Sequence, residues 1–366
     1  MMENAADITL IVPCGAPLRP GSERRPKWLL TTPQGQLLAA RAAETVPRAR
    51  VMRTIVVFLG EVEERYGATA ALRRAFDREI ECVLLDAPTS GPAATVRAAI
   101  EQAGVSGPVC IKDSDSFFSL RGGLPEGSFL AIADVRTMAS LSEPARKSYV
   151  RLNEQELVVD IVEKNVVSNF ISVGLYGFAD TALFCEAYDS LMALTGGAQG
   201  FVSHVIKVAI VGGHIFQPIH THDLVDIGTR SDWNAYRSRL PSIVLDIDGV
   251  VFRNQSEFFP PYWSDPVEPI EPNVAHIRSL QARGAQLIFM TARPEAYRAA
   301  TLAALERIGL SVHALVMGCH HGTRYLVNDY AGSNPYPSAI AINLPRNADS
   351  LRDILLEDHR ALDREP

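Results

Sequence analysis

Asp246 and Asp248 are the residues whose type and spacing specify chemistry most directly. They close the apolar run Ile243-Val244-Leu245, stand one residue apart, and are followed by Gly249-Val250-Val251. An apolar, β-branched run that stops at polar residues reads as a buried strand whose C-terminal tip opens into a loop. Side chains at i and i+2 of an extended chain point the same way, so the two carboxylates share one small volume. Like charges held that close need a cation between them or a shared proton. Two later runs end in the same manner: 286–290 stops at Thr291-Ala292-Arg293-Pro294, and 325–327 stops at Asn328-Asp329. Helices expected near 272–283 and 295–308, each closed by a glycine, separate these strands. Parallel strands joined by right-handed crossovers present their C-terminal ends on one edge, so Asp246, Asp248, Thr291 and Asp329 are predicted to converge there.

The elements that position the other chemistry-bearing residues begin at the N-terminus. The apolar stretch 8–12 runs into Pro13-Cys14-Gly15-Ala16-Pro17-Leu18-Arg19-Pro20 and then Pro26-Lys27-Trp28-Leu29-Leu30. Gly15, Arg19 and Lys27 therefore follow a strand's C-terminal end, where open α/β sheets bind ligands. The pattern then alternates: a helix near 36–46, a strand at 54–59, a helix near 61–78 and a strand at 81–85. Thr89-Ser90-Gly91-Pro92-Ala93 opens another helix, and a further strand is expected at 109–112. Strands alternating with helices predict an α/β fold with largely parallel sheet covered on both faces. Two such domains are expected, 1–238 and 239–366, with Pro241 marking the joint after a polar terminal helix at 231–239.

Composition bounds the function classes. A net charge of −7 with no Lys/Arg-rich run argues against general nucleic-acid binding. It does not argue against phosphorylated small molecules, whose sites are built locally from backbone N–H groups, metal and a few cations. The five cysteines are scattered, with no C-x-x-C pair, which fits buried thiols in a reducing compartment. No signal peptide and no membrane-length apolar run is read from the sequence, so the expectation is a cytoplasmic protein without a membrane partner. His214, His220 and His222 lack a specified further ligand and are left unassigned.

The C-terminal motifs Asp246-Ile247-Asp248-Gly249-Val250-Val251, Thr291 and Asn328-Asp329 resemble the haloacid dehalogenase (HAD) superfamily of phosphatases. The resemblance implies a capless Rossmann-like domain in which Asp246 is the nucleophile and Asp248 the general acid and base. Thr291 would hold a phosphoryl oxygen, and Asp246, Asp248 (through its carbonyl) and Asp329 would hold Mg²⁺. The basic residue of the superfamily is expected at Arg324, with His320 and His321 as alternatives. The proline- and aromatic-rich loop 253–272 is either a substrate lid or a packing loop. Asn334-Pro335-Tyr336-Pro337 and Ile340–Asn347 are similar to the tail of capsule and surface-polysaccharide phosphatases.

The N-terminal fragments, in order, resemble the sugar-phosphate nucleotidyltransferase family, whose fold is a Rossmann variant. They are Pro26-Lys27-Trp28-Leu29, Thr89-Ser90-Gly91-Pro92-Ala93, Asp113-Ser114-Asp115-Ser116, Ile161-Val162-Glu163-Lys164, Ser172-Val173-Gly174-Leu175-Tyr176 and Asp226-Ile227-Gly228-Thr229. The resemblance implies an NTP and a sugar phosphate as partners, and Mg²⁺ held by Asp115 and Asp226. Arg19 and Lys27 would neutralise the leaving group, and Gly15, Gly91, Glu163, Lys164 and Gly174 would line the substrates. The first loop, Gly15-Ala16-Pro17-Leu18-Arg19, departs from the family's glycine-rich pattern. The expectation is thus a bifunctional, Mg²⁺-dependent enzyme of sugar-phosphate metabolism for surface polysaccharide. The alternative is a phosphatase whose N-terminal half is a binding module. The sugar, the base and the oligomeric state are not specified by the sequence.

Overall fold

The first apolar stretch extends as expected: Ile8–Cys14 (β1) encloses Leu10, Ile11 and Val12 completely. The structure is a computed structural model that describes residues 7–18, 25–138, 143–198, 200–238, 240–329 and 339–355. A strand buried on both faces needs parallel neighbours and helical cover. In chain order, β1 is followed by Val51–Leu59 (β2), Glu81–Leu85 (β3), Val109–Lys112 (β4), Ser116–Leu120 (β5), Phe129–Asp134 (β6), Ser148–Leu152 (β7), Val158–Glu163 (β8), Phe170–Phe178 (β9) and Gln217–Asp226 (β10). They form one sheet in the order β3-β2-β1-β4-β9-β6-β10-β5, with the β7–β8 hairpin attached to β9. The β3-β2-β1-β4 part is parallel throughout. Beyond it β9 runs antiparallel to β4 and β6, and β5 antiparallel to β10, while β10 and β6 are parallel.

Contacts divide the chain into two compact units, Met1–Asp232 and Trp233–Pro366, the division falling inside the helix Arg230–Ser238. The first unit has one continuous apolar core running from Ile8 through Phe58, Phe129 and Phe178 to Phe216 and Ile219. The helix expected near 61–78 is two helices, Gly60–Tyr66 and Ala68–Ala75. Gly67 between them sits at φ 59° and ψ 45°, the left-handed conformation that ends a helix and that glycine adopts without steric cost.

The second unit contains Ser242–Asp246 (β11), Gln286–Met290 (β12) and Ala314–Val316 (β13), parallel and in that spatial order. The helices Glu271–Ala282 and Arg298–Arg307 lie between them in sequence, close to the predicted spans. Its core is smaller: Leu245, Ile247, Phe252, Ile277, Phe289 and Leu305 are its centre. One expected strand does not form. Residues 325–327 have no strand pairing, and Tyr325, Leu326 and Val327 are 86%, 62% and 90% exposed. β11 is the edge of the three-stranded sheet, paired in it only with β12, and Val244 on it is half-exposed.

All five cysteines are free thiols. Among the described residues no helix is long and apolar enough to cross a membrane.

Candidate functional site

In the first unit the acids predicted at strand ends do meet. Asp113 and Asp115 leave β4 in the turn before β5, and the register of β5 on β10 sets Asp226 opposite Ser116. The Ile227 N–H donates to the Asp115 carbonyl at 2.8 Å, which ties the two acid-bearing segments together. Lys27 reaches the same point: its ammonium lies 2.7 Å from Asp115 Oδ2 and also donates to the carbonyls of Ile227 and Gly228. Lys147 pairs with Asp226 at 2.5 Å. Each expected metal ligand therefore carries a lysine partner, and both carboxylates remain partly open to solvent, 31% and 28% exposed.

Behind them sits a second layer. Lys112 is fully buried and donates to the carbonyls of Asp113 and Ser116 and to the Ser116 hydroxyl. Burial pulls its ammonium down to about 8, against the opposing charges of Asp113, Asp115 and Asp226. Burial first, and the charge of Asp115 second, push Asp113 up to about 6. Asp113 is not solvated in the way a loop carboxylate would be: the Tyr176 hydroxyl lies 3.4 Å from its Oδ2. Gly174 is the reason it fits. At φ +80° and with a Cβ that would stand 2.5 Å from Asp113 Oδ2, no side chain is tolerated there.

The remaining predicted residues fall around this cluster. Gly15 packs against Thr95, whose hydroxyl accepts or donates to Thr89 at 2.7 Å and bonds the Gly91 carbonyl, so the Gly15 loop and the Gly91 helix start adjoin. Glu163 accepts from the hydroxyls of Ser148 and Ser203. Lys164, at φ 56°, donates its N–H to the Lys147 carbonyl and lays its ammonium over the Phe201 ring. Glu163 and Lys164 thus adjoin the strand start that carries Lys147. Arg19 lies outside the described residues. Sequence reasoning missed Lys147, which has no motif spacing to mark it. It also missed Lys112, although a lysine ending an apolar strand just before two aspartates was a usable signal.

The second unit pairs its acids with arginines. β11 and β12 are in register at Asp246 and Met290, which brings Thr291 to the tip where Asp246 ends its strand. Arg324, the expected basic residue, lies 3.2 Å from Asp246 Oδ2. Asp248 is held bidentately by Arg293, at 2.9 and 2.6 Å, and Arg293 also donates to Gln255 Oε1 at 2.8 Å. Arg293 is 2% exposed and was missed; its i+2 spacing from Thr291 at a strand tip is the signal that had singled out Asp248. Thr291 is buried and its hydroxyl accepts from the Arg293 N–H.

Asp329 follows the exposed run 325–327 and is itself exposed. Among the described residues no group of three His, Cys, Asp or Glu is placed to hold a metal. In the loop 253–272, Trp263 packs edge-on to Tyr297 while Phe258 and Phe259 stay exposed. Of the tail, 334–337 lie outside the described residues, and Asn347 bonds the Gly249 carbonyl and the Asn254 N–H.

Comparison with solved structures speaks to the first unit. A nucleoside-diphosphate-sugar pyrophosphorylase from Vibrio cholerae RC9 is similar at 18% identity and a TM-score of 0.50, over 63% of this chain and 99% of that one. This is a nucleotidyltransferase-like fold. A protein described as a glucose-1-phosphate thymidylyltransferase from Bacillus anthracis is similar at 14% identity and a TM-score of 0.50, over 63% of this chain and 94% of its own. At such identities the likeness is one of fold. No protein-family model matches the sequence, and no curated protein matches it.

Proposed function

We propose that the first unit transfers a nucleotidyl group from an NTP to a sugar phosphate, and that the second hydrolyses a phosphomonoester. The single observation that carries the first reading is the meeting of Asp115 and Asp226 at one sheet edge, each partnered by a lysine. Hard carboxylate oxygens, partly exposed and already balanced by displaceable cations, are a donor set that suits Mg²⁺. Asp115 and Asp226 would hold it, and when bound it neutralises phosphate oxygens at the reacting centre. Lys27 and Lys147, released from their carboxylates, are then free to bind the phosphates of the two substrates. The sugar-phosphate oxygen attacks the α-phosphorus, the α–β bridging bond breaks, and the negative charge that leaves with pyrophosphate is met by Lys27. Gly15 and Gly91 would let backbone approach the nucleotide closely, and Glu163 and Lys164 would contact the sugar phosphate. The proline in the first loop favours the rival binding module, whereas the retained Asp115, Asp226, Lys27 and Lys147 favour catalysis.

In the second unit, support comes from the arrangement of Asp246, Asp248 and Thr291 around the tip of β11, with Arg324 on the nucleophile. An Asp246 oxygen would form the bond to phosphorus as the substrate's ester bond breaks, Asp248 giving a proton to the leaving alcohol. Water would then attack the aspartyl-phosphate, its proton returning to Asp248. Both Asp248 oxygens now lie on Arg293, so this role requires one of those bonds to open. Asp246, the Asp248 carbonyl and Asp329 would hold Mg²⁺, which would offset the charge of the phosphoryl group.

The two activities use different phosphates, since removing the anomeric phosphate leaves nothing to nucleotidylate. Such chemistry suits precursors of a surface polysaccharide. Incubating the intact protein with each NTP and a panel of sugar 1-phosphates, and reading pyrophosphate and phosphate separately, tests both halves. Pyrophosphate from at least one pair is expected; silence across a broad panel would establish the binding-module reading.

A further inference from the structure

Among the described residues, Lys112 is the fully buried cation of the acid cluster. Its ammonium has three acceptors within hydrogen-bond distance: the Asp113 carbonyl at 2.8 Å, the Ser116 carbonyl at 2.7 Å and the Ser116 hydroxyl at 2.9 Å. An ammonium has three N–H donors, so the group is saturated. Its partners are the first and last residues of the turn Asp113-Ser114-Asp115-Ser116, in which Asp115 sits with its own carboxylate untouched by Lys112. The ties continue outward. The Ser116 hydroxyl donates to the Val173 carbonyl on β9 at 2.8 Å, and the Asp113 N–H donates to the Gly174 carbonyl at 2.8 Å. The Phe118 ring closes the far side, 5.2 Å from the ammonium.

The geometry assigns Lys112 as a positioning residue: it staples the β4–β5 turn to β9 so that the Asp115 carboxylate is held, before any ligand arrives, at the distance from Asp226 that a shared divalent cation requires. This inference rests on the nucleotidyl-transfer reading of the same site and adds a device to it. A free four-residue turn bearing two acids would splay them apart by repulsion, and metal binding would then have to order the turn as well as lose its own water. A saturated buried lysine removes that ordering step. Outer partners of metal ligands act in this way generally, and losing one weakens metal affinity about 10- to 100-fold.

Electron paramagnetic resonance titration of the full chain with Mn²⁺ alone tests the assignment, the site in the first unit being the part of the signal lost in Asp226→Ala. Lys112→Met, which keeps the length and apolarity of the stem, should weaken that site about 10- to 100-fold, and raised Mg²⁺ should restore kcat for pyrophosphate release. Unchanged Mn²⁺ affinity in a folded Lys112→Met protein overturns the assignment. If Lys112→Met does not fold, Ser116→Ala, which deletes the hydroxyl's two hydrogen bonds, from Lys112 and to Val173, is read instead. At least about a 3- to 10-fold loss is expected from these bonds, and no loss overturns the assignment. A wild-type protein whose Mn²⁺ binding is indifferent to Asp226→Ala contradicts the nucleotidyl-transfer reading itself, a result distinct from either.

Discussion

The two units solve one electrostatic problem in two ways. Each gathers carboxylates at a sheet edge and sets cations against them, but the first does so with lysines and the second with arginines. In the first, Asp115 and Asp226 are fixed by ladder pairing, by the Ile227–Asp115 hydrogen bond and by Lys112 behind them. In the second, Asp248 is fixed by a fully buried, bidentate Arg293, while Asp246 meets a half-exposed Arg324 from an irregular segment. A lysine is a mobile point charge that can exchange a carboxylate for a phosphate; a guanidinium fork locks the carboxylate it grips. The first site is thus poised to exchange partners, and the second holds Asp248 until the pair opens.

The sharpest way to break this comparison is to remove the residue that each half depends on. Asp246→Asn should lower phosphate release from a generic phosphomonoester by on the order of 10⁴-fold or more, since the proposed nucleophile is gone, while pyrophosphate release stays at the wild-type rate. Undiminished turnover would remove the phosphatase from the account. Asp226→Ala should cut pyrophosphate release by roughly 10²- to 10³-fold and leave phosphate release intact; loss of both would mean the units are coupled.

The arginine lock can be weighed by stability. Arg293→Met leaves Asp248, only 14% exposed, without its partner, and should destabilise the second unit by about 3–5 kcal/mol in denaturant unfolding followed at Trp263. A change below about 1 kcal/mol would show that the pair is solvated and does not lock. The smallest expected effect concerns His276 on the helix Glu271–Ala282. Burial first, then the guanidiniums of Arg283 and Arg352, hold its imidazole below the ordinary 6.5. The folded unit therefore takes up that proton at lower pH than the unfolded chain. Its stability is fully present above about 6.5 and declines as pH falls through that value. His276→Gln should flatten this slope between pH 7 and 5 (roughly the histidine range), and an unchanged slope would place the titration elsewhere.

Much of this was legible in the sequence where the chemistry follows from local spacing. The nucleotidyltransferase resemblance pointed to Asp115 and Asp226, which lie on segments tied by the Ile227–Asp115 hydrogen bond, and Arg324, singled out as a basic residue, pairs with Asp246. The helices and most of the parallel strands also read directly from apolar periodicity. What failed depended on partners distant in sequence. The run 325–327 has the composition of a strand, but composition does not supply the neighbour that a strand needs. Gly67 split a helix whose apolar pattern reads as continuous. Lys147 lacks motif spacing; its place comes from Asp226, 79 residues away.

Transfer of the α-phosphorus itself is the most direct test. With an NTP labelled at the α-phosphate and the sugar 1-phosphate that supports turnover, the label should appear in a sugar nucleotide while pyrophosphate stays unlabelled, and Asp226→Ala should abolish the transfer. Label that remains in NTP with every sugar phosphate, in a folded wild-type protein supplied with Mg²⁺, would contradict the account.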